Sequence, residues 1–222
     1  MKIVLFGAPG CGKGSQARRI SEKYNLPIIS TGDLFRFHIS NNTPIGIEAK
    51  KYINLGNLVP DEITIKIVEE RLKQADCQNG FILDGFPRNI FQAKALDQIT
   101  KIDLFLFIDV SISEIEIRAV NRRICPKCNK IFSMLDVYRS NCDNCNSTLI
   151  QRDDDKIEVV RNRIKNYQAT CDDVIEFYKS KKVLQQILSA ESADATFIGV
   201  DEVIKNYLKK KAKRWKSYPQ QR

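Results

Sequence analysis

Three sets of residues in this 222-residue chain have the types and spacing to do chemistry. The first is Gly7-Ala8-Pro9-Gly10-Cys11-Gly12-Lys13-Gly14-Ser15, into which the apolar run Ile3-Val4-Leu5-Phe6 empties directly. A loop wrapped around a phosphate must turn its backbone N–H groups inward. Glycines allow the dihedrals and the close approach, and a following helix adds its positive N-terminal end. Gly10, Cys11, Gly12, Lys13, Gly14 and Ser15 are therefore expected to hold nucleotide phosphates, with Lys13 reaching the β- and γ-phosphates. The Ser or Thr that normally follows the lysine and touches Mg²⁺ is replaced here by Gly14, and the hydroxyl arrives one residue later at Ser15.

The second set is Cys125-Pro126-Lys127-Cys128 and Cys142-Asp143-Asn144-Cys145, two C-x2-C pairs thirteen residues apart. That is zinc-ligand spacing. Four thiolates complete a tetrahedron, so Zn²⁺ bound there is closed to substrate and structural. Cys11, Cys77 and Cys171 are isolated, and His38, the only histidine, reads as a helix-face residue without a chemical role. The third set is Arg36, Arg88, Arg118, Arg122, Arg152 and Arg163. Arginine's planar fork suits bidentate phosphate contacts, and Arg118 and Arg122, four apart, share one helix face.

These sets need a scaffold that gathers them. Apolar runs predict strands ending at Phe6 and at residues 26–30, 80–84, 103–109 and 195–199. Helical spacing covers residues 14–24, 33–39, 46–55, 61–75, 88–100, 113–123 and 156–179. Continuous apolar strands alternating with helices imply an α/β fold, a five-stranded parallel sheet flanked by helices. The ligand belongs at the carboxyl edge of that sheet, where the glycine-rich loop and Asp84 both emerge. No run of eighteen apolar residues exists and the apolar start is too short for a signal peptide, which points away from membranes and toward the cytoplasm. The formal charge of +9 is concentrated at the end. From Lys205 onward there are eight basic residues and no acid, leaving the preceding chain at about +1. That tail reads as a solvated end with nucleic-acid binding as an accessory option, rather than a nucleic-acid-binding body.

The loop with glycine after its lysine, Ser30-Thr31-Gly32-Asp33-Leu34-Phe35-Arg36, Asp84-Gly85-Phe86-Pro87-Arg88 and Arg152-Asp153-Asp154-Asp155 follow the order and approximate spacing of the adenylate kinase family, which the chain closely resembles from residue 1 to about 208. The resemblance implies a P-loop NTPase-type core of residues 1–30, 61–122 and 156–208. It also implies two mobile insertions, a nucleoside-monophosphate-binding segment at 31–60 and a zinc-bearing lid at 123–155, followed by the basic tail at 209–222. The activity it implies is reversible phosphoryl transfer from ATP to AMP giving two ADP, with Mg²⁺, by a monomer.

Carried over by position, Lys13, Arg88, Arg122, Arg152 and Arg163 resemble the catalytic set. Arg36 and Arg88 resemble the clamps on the AMP phosphate, and Arg122, Arg152 and Arg163 the group that closes around the transferring phosphoryl and the ATP phosphates, Arg152 and Arg163 belonging to the AMP site as well. Thr31, Asn57, Leu58, Val59, Gly85, Phe86, Pro87 and Gln92 match the AMP pocket. Arg118, Ile131, Phe132 and the backbone at Gly199 match the ATP side, and Asp84 resembles the carboxylate that holds Mg²⁺ through water. Asp33 with Asp154 or Asp155 offers partners that could order the arginines. The segment 129–141 is shorter than in comparable zinc-bearing lids. A pyrimidine monophosphate kinase is the nearest rival, and Thr31 and Gln92 favour adenine over it. GTP remains an alternative donor, and a zinc-ribbon nucleic-acid-binding protein is the rival from another class.

Overall fold

The computed structural model describes residues 1–135 and 139–216. Residues 136–138, between the knuckles, and 217–222, the last part of the basic tail, lie outside the described residues. The elements in chain order are β1 (Lys2–Phe6), α1 (Lys13–Tyr24), β2 (Ile28–Ser30), α2 (Thr31–Ser40), α3 (Pro44–Ile53), α4 (Asp61–Leu72), β3 (Phe81–Asp84) and α5 (Ile90–Ile99). They continue with β4 (Leu104–Asp109), α6 (Ile112–Val120), β5 (Arg122–Ile124), β6 (Ile131–Ser133), α7 (Ile157–Gln168), α8 (Cys171–Ser180), β7 (Leu184–Leu188) and α9 (Ala193–Lys216).

The main sheet is parallel throughout, in the order β2-β3-β1-β4-β7. Alternate residues of β1 feed two cores. Val4 and Phe6 pack with Ile67 and Val68 of α4, Leu96 of α5 and Tyr178 of α8, while Ile3 and Leu5 pack with Ala17 and Ile20 of α1 and Val200 and Ile204 of α9. A sheet covered on both faces needs apolar residues at every position of its inner strands, which is why β1, β3 and β4 read as unbroken apolar runs. Because β3 and β4 flank β1 on opposite sides, the carboxyl end of β1 is the topological switch point, where a crevice opens. The glycine-rich loop leaves the sheet there.

The expected fold class stands, with three corrections. The fifth strand is β7, not residues 195–199, which lie inside α9. Among the described residues β7 is an edge strand paired only with β4, and its Gln185 and Gln186 are exposed, so it lacks the apolar run of a central strand. The apolar residues around 197–204 serve instead a helical stripe ending on buried Val200 and Ile204. The single helix expected over 156–179 is two, α7 and α8, turning at Thr170, whose hydroxyl donates to the Arg88 carbonyl at 2.8 Å. Finally, α6 stops at Val120, and Arg122 enters the small antiparallel hairpin β5–β6. Of the basic tail, residues 209–216 prolong α9. His38 closes the α2–α3 turn through a 2.9 Å hydrogen bond between Nδ1 and Thr43 Oγ1.

Candidate functional site

One cavity of about 850 Å³ opens at the switch point, near the top of the range of roughly 300–1,000 Å³ typical of small-molecule sites. Its floor is the glycine-rich loop. Gly12, at φ 96°, is the N-cap of α1, and no side chain caps that helix or places an acid in its first turn. The free N–H groups and positive end of a 12-residue helix therefore face the cavity, an arrangement suited to phosphate. Lys13 Nζ donates to the carbonyls of Gly7 and Ala8, both at 2.8 Å, which folds the ammonium back over the loop. A Cβ at Gly14 would lie 3.7 Å from Asp84 Oδ2 and 3.6 Å from the Ile131 Cδ1 methyl. Asp84 thus stands beside the position where the missing hydroxyl is expected. Burial pushes its carboxyl up, opposed by the nearby charges of Lys13 and Arg88.

All six arginines line this cavity. Four are oriented by carboxylates, Arg118 by that of Glu114. Arg36 Nη2 donates to Asp33 Oδ1 at 2.6 Å, and Arg163 Nη1 to Asp154 Oδ2 at 2.8 Å. Arg122 Nε donates to Asp155 Oδ2 at 2.9 Å, and its Nη2 to the other oxygen of the same fully buried carboxylate. Burial tends to lower Arg122, but Asp155 outweighs it and holds the guanidinium charge more firmly than usual. Arg88 and Arg152 are different. Burial, with neighbouring arginines adding repulsion, brings each down to about 10, still protonated at neutral pH. Arg88 Nε donates to the Gly85 carbonyl at 2.7 Å, and the buried Nε of Arg152 has no partner among the described residues. Crowded like charges with unfilled donors are arranged for a polyanion.

At one end of the cavity, Thr31 Oγ1 donates to the Gly85 carbonyl at 2.9 Å, and buried Gln92 faces in from α5. Gly85 has φ 82°, and a Cβ there would stand 2.8 Å from Thr31 Oγ1, so this turn requires glycine. Asn57, Leu58, Val59 and Pro87 complete the wall, with Asn57 Oδ1 held by Asn162 Nδ2 of α7 at 2.8 Å. Phe86 does not reach the cavity. It is 1% exposed and packs in the core cluster that holds Val4, Phe6 and Leu96.

The other end is walled by Arg118, Ile131, Phe132 and the segment from Ser189 to Thr196. Arg118 donates to Ser189 Oγ at 3.1 Å and pairs with Glu114. Gly199 is a correction. It lies within α9 facing Ile187, one turn beyond the wall. The residues actually present, Ser189 to Asp194, follow β7. Recognising that strand is the signal that finds them, since its carboxyl end points into the same crevice.

Above this end stands the β5–β6 hairpin with the two knuckles. The sulfurs of Cys125, Cys128, Cys142 and Cys145 all lie within 4.8 Å of one another. Cys125 Sγ is 3.3 Å from Cys145 Sγ, and Cys128 Sγ 3.5 Å from Cys142 Sγ. The backbone N–H groups of Cys128 and Asn144 donate to Cys125 and Cys142 sulfurs, each at 3.4 Å. Four clustered thiols with N–H groups aimed at sulfur form a donor set that fits one tetrahedral soft metal ion. From the core, Arg18 of α1 donates to the Asn129 carbonyl at the first knuckle.

A family model described as adenylate kinase matches residues 5–183. Curated relatives bearing the name adenylate kinase include one from Clostridium kluyveri, 46% identical over 205 residues and covering 89% of this chain and 94% of its own length. Another, from Clostridium beijerinckii, is 46% identical over 214 residues, 93% of this chain and 99% of the relative. A third, from Acetivibrio thermocellus, is 48% identical over 204 residues, 88% and 94% respectively. With the loop and the arginine-lined cavity at the carboxyl edge of the parallel sheet, the four-cysteine knuckles at the β5–β6 hairpin beside it, and this identity over nearly the whole chain, the protein belongs to the adenylate kinase family.

Proposed function

We propose that this chain transfers a phosphoryl group reversibly from ATP to AMP, giving two ADP. The observation that carries the reading is one continuous cavity, which runs from Thr31 and Gln92 past the glycine-rich loop and these six arginines to Ser189 and Arg118. It has two ends suited to bases and one shared cationic centre. The attacking phosphate is already anionic, so no general base is needed. The difficulty is to bring two polyanions into line, which positive charge and exclusion of water supply.

In this reading Gly10 to Ser15 cradle the ATP phosphates, and Lys13 swings from the Gly7 and Ala8 carbonyls to the transferring phosphoryl. Arg36 and Arg88 clamp the AMP phosphate, while Arg122, Arg152 and Arg163 close on the group in transit. Arg118, Ile131, Phe132 and the segment from Ser189 to Asp194 take the ATP base. Thr31, Leu58, Val59, Gly85 and Gln92 take the AMP base. Asp84 is placed to hold Mg²⁺ through water, and Mg²⁺ bound there neutralises phosphate charge. The four cysteines hold a structural Zn²⁺. The segments 31–60 and 123–155 close over the substrates and exclude water, and the enzyme acts as a cytoplasmic monomer.

A scan of nucleoside triphosphates against monophosphates, with diphosphate formation as readout, tests this. ATP with AMP is the pair expected to turn over fastest. Faster turnover of CMP or UMP than AMP, or of GTP than ATP, overturns the corresponding assignment.

A further inference from the structure

Asp61 opens α4 behind the Gln92 end of the cavity, outside its lining, and receives three hydrogen bonds on one carboxylate. Asn89 Nδ2 donates to Oδ1 at 2.9 Å and to Oδ2 at 3.1 Å, and Gln92 Nε2 donates to Oδ1 at 2.7 Å. At the other end of the same amide, Gln92 Oε1 accepts the Arg88 backbone N–H at 2.8 Å. A carboxylate only accepts and a backbone N–H only donates, so these two partners decide which end of the Gln92 amide is oxygen. Asn89 is determined likewise, because its Oδ1 accepts the Gln92 backbone N–H at 2.9 Å as the cap of α5. Among the described residues each end of the Gln92 amide keeps one unused site, an N–H on nitrogen and a lone pair on oxygen.

The six-membered edge of adenine offers an acceptor at N1 beside a donor at the 6-amino group, the complement of that unused pair. Hypoxanthine has the same outline with the pattern reversed, N1–H beside a 6-oxo group. A glutamine free to turn over satisfies both bases. One that is held satisfies only the first and leaves the second facing like with like in a buried site. Resting on the reading that Gln92 faces the acceptor base, we infer that Asp61 is a specificity-determining positioning residue: it holds the Gln92 amide in the orientation that selects 6-amino over 6-oxo purine monophosphates. Asp61 does not touch the substrate. The Arg88 N–H opposes the same turn-over from the other end of the amide, so substitution of Asp61 weakens the lock rather than abolishing it, and the expected change in selectivity is partial.

The test measures kcat/KM for AMP and for IMP at saturating ATP in the wild type and in D61N, D61S and Q92L, with thermal unfolding to confirm folding. Asparagine at 61 can donate to a turned-over Gln92, so D61N is expected to raise the IMP to AMP ratio about tenfold, through KM rather than kcat. D61S, which removes the carboxylate with a smaller group, moves the ratio the same way and serves if D61N does not fold. A ratio unchanged in D61N and D61S, with KM shifted equally for both nucleotides while Q92L loses AMP, overturns the lock and leaves the reading of Gln92 standing. An AMP KM unmoved in Q92L overturns the reading of Gln92 and the lock with it.

Discussion

The Thr31 and Gln92 end of the cavity and the knuckle end are ordered by different physics. Around Gln92 the groups are held by neighbours inside a packed core: Thr31 on the Gly85 carbonyl, Gln92 between Asp61 and the Arg88 N–H, Phe86 sealed beneath. Around the knuckles there is little to pack. The β5 and β6 strands are three residues each, and Ile124, Cys125 and Cys142 are the buried apolar residues of that region among those described. Order there depends on four sulfurs and the N–H groups aimed at them, which is where a metal contributes most, since a small unit without a core gains its folding free energy from the ion. One end is suited to telling bases apart, and the other to being assembled as a cover.

The sharpest way to break this contrast is at the phosphates, which both ends share. Lys13→Ala or Arg88→Ala is expected to lower kcat/KM by about 10³ for the ATP and AMP pair, measured by coupled steady-state assay. A loss below tenfold removes that residue from the catalytic set.

Next in size is the metal. Metal analysis of protein purified reduced should find one zinc per chain. Chelation or Cys142→Ser should lower the melting temperature by roughly 10 °C while leaving the AMP KM within about twofold. If the AMP KM rises in step with the loss of stability, the two ends are not independently ordered.

Thr31→Val sharpens the other side. Losing the hydroxyl that donates to the Gly85 carbonyl should raise the AMP KM about tenfold and leave the ATP KM unchanged. Equal shifts in both would place Thr31 in general packing. Smallest of all is Arg18→Ala, which removes the contact from α1 to the Asn129 carbonyl. Being an exposed interaction, it should raise the ATP KM no more than about threefold, with no effect on AMP, in the same assay.

The parts of the site legible in the chain are those whose chemistry is local. Gly10 to Ser15 carry their meaning in consecutive residues, since backbone N–H groups and one lysine must converge within a single loop. Each Cys-x2-Cys pair likewise forms one knuckle over four residues. The same holds for β1, β3 and β4, whose apolar runs follow from burial on both faces. Less was legible where a residue's job is set by a distant neighbour. β7 is half polar because, among the described residues, it has a partner on one side, so no apolar run marks it or the Ser189 to Asp194 wall that follows it, and the apolar stripe around Gly199 mimics a strand instead.

Residue type and spacing alone carry the chemical repertoire: a glycine-rich loop with one lysine and no hydroxyl after it, two Cys-x2-Cys pairs, and six arginines. Tertiary structure decided how those groups are held. It placed carboxylates against Arg36, Arg118, Arg122 and Arg163, while Arg152 Nε has no partner among the described residues. It put Phe86 in the core, and it set Asp61 against Gln92 across 31 positions of chain. Residue type specifies what a side chain can donate or accept. Only the packing of the sheet and its helices specifies which partner lies within about 3 Å.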